Sequence, residues 1–459
     1  MKKHLLLLIA ISLIACSQTK QKQVSKTAIL ISDVNIINVS NGDVLKKKQV
    51  IIDSGKIKSI SNTVENSDLY GTKINAEGKY MIPGLAEMHA HIPQPSTSKE
   101  RIEEVLFLYI SNGITTIRGM LGHPSHIELR EKASSGEILS PRIFTASPSL
   151  NGNSITTKEE AIAKVTAYQK EGYDFLKIHP GIKLDVFNQM VKTAKEVNIS
   201  FAGHVPVDVG VRHALKSQFA AIDHVDGFLE GLVPESKNVN PSDNGFFGYN
   251  FTPLADDSKI DELVKLSKKN QVWIVPTQSL FERWFAPVTA DVLLKDAEMK
   301  YMPASTLANW KQRKGQYTED NPNFNEEQWI EFNRIRRKLI KALQDQGHGM
   351  LLGSDAPQLF NVPGFSIHHE IDGMKQAGLT PLQILQSGTI NPATFFNQKE
   401  TFGQIKEGLD ADLVILDANP LENIKSLQQI SGVMVKGTWL SKETIDKKLE
   451  EIARNAANN

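Results

Sequence analysis

Between residues 28 and 60 apolar and polar residues alternate in short runs: Ala28-Ile29-Leu30-Ile31, Val34-Asn35-Ile36-Ile37-Asn38-Val39, Gln49-Val50-Ile51-Ile52 and Lys56-Ile57-Lys58-Ser59-Ile60. They are punctuated by Asn41-Gly42-Asp43 and Asp53-Ser54-Gly55. A period of two, broken by Asn-Gly and Ser-Gly turns, predicts a small antiparallel sheet. Two runs near the other end, 411–417 and 432–437, are again strand-like. Two β pieces flanking a long middle are expected to pair with each other, so that both chain ends build one β unit.

In the middle the rhythm becomes strand, helix, strand. An apolar run over 80–92 is followed by helical periodicity over 99–111 and by the strand 113–119. Further strands are predicted at 141–147, 174–179, 200–205, 220–225, 271–277 and 349–355, with helices at 158–171 and 184–197 among the intervening segments. Eight apolar strands alternating with helices predict an α/β fold, a (β/α)8 TIM barrel carrying a small composite β-sandwich from both chain ends, with reactive groups at the C-terminal strand ends. The expected boundaries are 28–80 for the N-terminal part of the sandwich, 81–400 for the barrel, and 401–459 for the C-terminal part with a terminal helix. Two connections are unusually long: 226–256, rich in Gly, Asn and Pro, and 280–325, which carries Phe281, Trp284, Phe285, Tyr301, Trp310 and Tyr317. Long loops on a catalytic face are expected to form lids or substrate walls.

The first residues have a different character. Lys2 and Lys3 precede an apolar run over 5–14, short for a membrane span, which ends in Leu13-Ile14-Ala15-Cys16. This predicts an export signal over 1–16, and its ending resembles the lipobox of bacterial lipoproteins, which implies lipidation at Cys16 and anchorage to a membrane facing the periplasm or cell exterior. Cys16 is the single cysteine, so the mature chain forms no internal disulfide. Residues 17–27 are polar and read as a tether. Lysine plus arginine and aspartate plus glutamate both number 52. This balance provides no field for nucleic acid and no charge obstacle to self-association, and it directs attention to a local site for a small-molecule or dipeptide-like substrate.

That site starts at His89-Ala90-His91, where a period of two puts both imidazoles on one strand face. The ends of later strands carry Lys177, His204, His224 and Asp355. Histidines with a carboxylate suit Zn²⁺ or a similar divalent ion. The ordered set His89-Ala90-His91, Gly113-Ile114-Thr115-Thr116-Ile117-Arg118, Asp174-Phe175-Leu176-Lys177-Ile178, Gly203-His204, Ile222-Asp223-His224 and Gly353-Ser354-Asp355-Ala356 resembles the amidohydrolase superfamily, as does the run over 403–414. Among its branches the chain looks like the imidazolonepropionase-like enzymes and metal-dependent dipeptidases.

The resemblance implies that His89, His91 and Asp355 hold one metal and His204 and His224 a second, bridged by a carbamate formed on Lys177 with carbon dioxide. The bottom-up chemistry agrees: a neutral lysine amine can be carboxylated to an anionic ligand, whereas an ammonium would repel the ions. A mononuclear alternative uses His89, His91, His204 and Asp355, pairs Lys177 with an acid, and leaves His224 for substrate. Gly119 stands where relatives commonly carry an acid, so the loop after Arg118 is expected to bind differently; Arg118 and His179 are expected to meet substrate. His123 and the His368-His369-Glu370 cluster are weaker candidates. The expected activity is hydrolysis of a C–N amide bond in a dipeptide, an N-acyl amino acid or a cyclic amide by metal-activated water, with Asp355 as general base and then general acid. Ester, lactone or phosphoester hydrolysis by the same site, and a non-catalytic lipid-anchored binding protein, are the alternatives.

Overall fold

The computed structural model describes residues 27–458. The expected export signal with Cys16, and all but the last residue of the expected tether, lie outside this range. Among the described residues no helix is long and apolar enough to cross a membrane.

Two sheets divide the chain. Seven parallel strands follow one another in sequence order: Leu85–Ala90, Ile114–Gly119, Arg142–Leu150, Phe175–Ile178, Ser200–Gly203, Ala221–Asp223 and Trp273–Val275. Most of their residues are buried on both faces, as their near-continuous apolar sequences require when helices cover the outside. The eighth expected strand is an irregular extended segment. It bonds to both sheet edges: Ile274 N donates to Gly349 O at 3.1 Å, Met88 N to Leu352 O at 2.8 Å and His91 N to Ala356 O at 2.7 Å. The barrel closes through these bonds. Regular pairing ends where Asp355 turns to φ +63°.

The second sheet is composite, in the order Thr438–Ser441, Ile430–Val435, Leu413–Leu416, Tyr80–Pro83, Ile29–Ile37, Val44–Asp53 and Lys56–Ser61. The expected pairing of the two chain ends runs through Tyr80–Pro83, antiparallel to Leu413–Leu416 on one side and parallel to Asn35 and Ile36 on the other. The core of this sheet mixes Ile31, Val34, Val50 and Met81 with Leu413, Ile415 and Met434.

The apolar run over 80–92 is therefore two strands, and the first barrel strand begins at Leu85. Gly84 N donates to Asp412 O in the composite sheet, while Leu85 N donates to Gly113 O in the barrel, both at 2.8 Å. A Cβ on Gly84 would lie 2.1 Å from Thr115 Oγ1. Only glycine lets the chain pass here.

The helices match their periodicity closely: Lys99–Ser111, Lys158–Glu171 and Leu184–Glu196. The second starts with a reciprocal cap between Thr157 and Glu160, satisfying backbone donors that the first turn otherwise leaves free. The long connections are structured. Residues 226–256 form short turns ending in Phe246–Leu254, and residues 280–325 include the helix Ala304–Tyr317.

Candidate active site

All six expected metal ligands line one cavity of about 670 Å³ at the C-terminal mouth of the barrel, together with His179. Each is delivered by a strand end. His89 and His91 leave the first strand on one face, and their Nε2 atoms lie 3.4 and 2.7 Å from the same oxygen, Asp355 Oδ1. Potential ligand atoms of these three residues lie within 4.8 Å of one another. Rings then follow in an arc, with His89 to His224 at 4.6 Å, His224 to His204 at 4.6 Å and His204 to His179 at 5.1 Å between centroids.

Backbone geometry at the rim is unusual. His224, Val225, Thr277 and Asp355 all have positive φ, a conformation that bulky residues adopt only when their surroundings enforce it. Gly203, at φ +130°, precedes His204; a Cβ there would lie 2.4 Å from Ile178 O and 3.2 Å from Lys177 Cδ. The glycine gives the lysine stem its room.

A set of buried and half-buried partners orients the imidazoles. His224 Nδ1 is 2.8 Å from Thr277 Oγ1, His204 Nδ1 is 3.1 Å from Asp226 Oδ2, and His179 Nδ1 is 2.7 Å from Ser149 Oγ. His89 Nδ1 faces Asp223 Oδ2 at 3.4 Å. Such contacts fix ring direction and leave the other nitrogen for a ligand. Glu87 joins the two strands that carry the ligands: its carboxylate accepts from His89 N at 3.0 Å, Ser354 N at 2.7 Å and Ser354 Oγ at 2.5 Å. Burial pushes the Glu87 carboxyl up to about 8.

Arg118, expected to meet substrate, does not line the cavity. It is fully buried inside the barrel, its Nε donates to Met88 O and its Nη2 to Asp223 Oδ1, both at 2.6 Å, and its guanidinium lies between the rings of Phe175 and Phe395. The side chain reaches inward to Asp223, below the cavity. The weaker candidates do not line the cavity and hydrogen-bond elsewhere: His123 caps the helix Pro124–Ser135, His368 bonds Asn112, His369 bonds Glu298, and Glu370 accepts from Ser279 N.

The donor set fits a divalent cation. Lys177 is fully buried and lines the cavity, yet its Nζ has no hydrogen-bond partner among the described residues; Asp223 Oδ2, at 3.8 Å, also lacks one. Burial lowers the Lys177 pKa and holds those of His89 and His224 well below their ordinary value, which favours the neutral forms that bind metal or carbon dioxide. Burial opposes ionisation of Asp355, but His89 and the bond to His91 outweigh it and hold the carboxyl at about 2.

The cavity wall comes from the long connections. Phe247 lies over His204 and His224 at 5.8 and 5.3 Å, and Phe246, Trp284 and Tyr317 continue the wall outward. Phe281, Phe285, Tyr301 and Trp310, also expected as candidates for the wall, are core residues absent from the cavity lining. Phe246, Phe247, Asp226 and Arg313 lie in the two long connections expected to form the wall but are not singled out by the sequence. The carboxylate of Asp226, two residues after His224, was the one legible signal among them.

The amidohydrolase family model matches residues 80–440, which spans the barrel and the strands that return to the composite sheet. This chain belongs to the amidohydrolase family. Ochratoxinase of Aspergillus niger is 21% identical over 446 residues, covering 86% of this chain and 82% of that protein. Among solved structures, this amidohydrolase is similar to bottromycin amidohydrolase, with a TM-score of 0.70 and 19% identity over 94% of this chain and 91% of that one. A Xaa-Pro dipeptidase with methionine bound in its active site superposes with a TM-score of 0.64 and 18% identity, covering 90% of this chain and all of that one (100%). At these identities the structural matches establish the fold of the amidohydrolase.

Proposed function

We propose that this amidohydrolase hydrolyses the C–N amide bond of a small molecule, using one or two divalent cations such as Zn²⁺. The observation that carries the reading is the meeting of His89 and His91 on Asp355 Oδ1 beside the buried Lys177 amine, which faces Asp223 Oδ2 at 3.8 Å and has no hydrogen-bond partner among the described residues. The amide preference is supported by relatives whose names describe amide cleavage, the dipeptidase and the bottromycin amidohydrolase.

His89, His91 and Asp355 would hold one cation, and His204 and His224 a second, with Lys177 between them as a carbamate. When bound, such ions lower the pKa of water and polarise a carbonyl. The chain's own residues do the remainder. Asp355 stands ionised at neutral pH, and its Oδ2, the oxygen that does not bond His91, takes a proton from the attacking water and gives it to the leaving nitrogen. His179, held through Nδ1 by Ser149, is left with Nε2 for substrate. Phe247 covers His204 and His224 and limits the water that reaches them.

The test is metal content per chain on protein prepared with bicarbonate, for wild type and Lys177→Ala. Two ions that fall to one or none in the variant support the carbamate-bridged pair; one ion indifferent to the substitution rejects it. Asp355→Asn is expected to lower kcat on amide substrates by about a thousandfold or more, in line with loss of a general acid–base group. Near wild-type turnover in that variant would overturn the role of Asp355.

A further inference from the structure

The cavity has two chemically different ends. At the inner end every charged side chain faces an opposite charge or a hydrogen-bond partner: Asp355 with His91, Asp226 with His204 Nδ1 and Val205 N, and Lys177 with Asp223 Oδ2 at 3.8 Å. At the outer end stands Arg313, which lines the cavity, is exposed, and makes no ion pair or hydrogen bond among the described residues. The Tyr317 hydroxyl likewise has no partner among them. The two are four residues apart on the helix Ala304–Tyr317 and therefore share a face.

The helix is held firmly where it presents them. Lys314, buried between the two positions, donates through Nζ to the carbonyls of Arg283, Trp284 and Ala286 at 3.1, 2.9 and 2.9 Å. This ties the helix to the turn that carries Trp284. From the histidines to this end the wall is aromatic: Phe247 meets Phe246 at 4.8 Å, Phe246 meets Trp284 at 5.0 Å and Tyr317 at 5.4 Å, and Trp284 meets Tyr317 at 4.9 Å. The backbone is bent to build it, with positive φ at Gly245, Phe247 and Gly248 in succession around Phe246.

We propose that the substrate is an amide with a large apolar or aromatic body and a free carboxylate, of the N-acyl amino acid kind, whose carboxylate is bound by Arg313 and the Tyr317 hydroxyl. This rests on the amide-hydrolysing reading of the site and adds its recognition element. A guanidinium is suited to a carboxylate because it offers several fixed donors, and a cation otherwise left without a partner beside an apolar wall selects for an anion that brings its own apolar body.

The experiment compares N-benzoyl-phenylalanine with N-benzoyl-phenethylamine, the same amide without the carboxylate, on wild type, Arg313→Gln and Arg313→Lys. Binding to metal-stripped protein is measured by calorimetry and kcat/KM on metal-loaded protein. Wild type is expected to prefer the carboxylate by about ten- to a hundredfold in both readouts. Arg313→Gln should bring that ratio close to one, and Arg313→Lys should keep part of it. Because Arg313 is exposed, unchanged melting of the variants would show that they fold. Equal binding of the two ligands by wild type, or a preference that survives in Arg313→Gln, overturns the proposal. If the carboxylate preference appears in binding and no amide is cleaved, the recognition element stands and the hydrolytic reading fails.

Discussion

Arg118, Asp223 and His89 form a line from the barrel interior to the proposed metal site. Arg118 and Asp223 are both fully buried and bonded at 2.6 Å, and Asp223 turns its second oxygen toward His89 Nδ1. A guanidinium without exposure needs such a counter-charge, and removing one partner of a buried pair leaves the other uncompensated. Arg118→Met is expected to destabilise the fold by about 3–5 kcal/mol, read from the urea midpoint. In the same variant the affinity for Zn²⁺ should fall roughly ten- to a hundredfold, because Asp223, which faces the His89 imidazole, loses the guanidinium that holds it in place. An unchanged midpoint and an unchanged metal affinity together would remove this assignment. From sequence Arg118 looked like a rim residue, since it stands next to the end of its strand. Whether its side chain points to the mouth or to the interior is set by the tilt and stagger of the strands in the closed barrel, which the sequence pattern does not carry.

One apolar run serves two structures here. The run over 80–92 leaves the composite sheet at Pro83 and enters the barrel at Leu85, with Gly84 passing against Thr115. Gly84→Ala forces its Cβ into that side chain, so a loss of about 2–3 kcal/mol or of soluble expression is expected, in the range of strongly overpacked sites. The double variant Gly84→Ala with Thr115→Ala should recover part of the loss. Its failure to do so would mean that the Thr115 Oγ1 and Cγ2 atoms are not the source of the loss. The ligand-bearing elements are linked in a similar way: Glu87 of the first strand holds Ser354, so the position of His89 and that of Asp355 are set by one carboxylate. Both constraints join residues far apart in the chain, and no local pattern announces them.

Across the molecule the barrel and the composite sheet are joined by partly buried charge. Arg142, on the third barrel strand, donates to Asp410 at 2.7 Å and to Asp412 at 3.1 Å as the chain returns to the small sheet. The barrel carries a further buried carboxylate, Glu370, behind the seventh strand. It accepts from Ser279 N at 2.8 Å, but burial pushes its carboxyl up to about 7 from an ordinary 4.5. The folded state thus holds a proton there that the unfolded chain releases. This contribution to stability is complete below about pH 4.5 and is lost as pH rises through about 7. Glu370→Gln lacks that titration, so the stability of the variant relative to wild type is expected to rise between those limits. Urea midpoints measured for both proteins from pH 4.5 to 8 check it; a constant difference would mean that Glu370 does not titrate there.

The linear pattern alone determined the alternation of strands and helices, the barrel class, the helix bounds at 99–111 and 158–171, and the strand-end positions of His89, His91, Lys177, His204, His224 and Asp355. Those features depend on periods of two and 3.6 residues and on which residue types end a run, and both are local. Tertiary structure alone decided that Arg118 faces the interior, that Tyr80–Pro83 belongs to the composite sheet, and that Phe246, Phe247 and Arg313 surround the cavity. Each of these depends on contacts between segments distant in sequence, where closure of the barrel and the path of long loops fix which side chains meet.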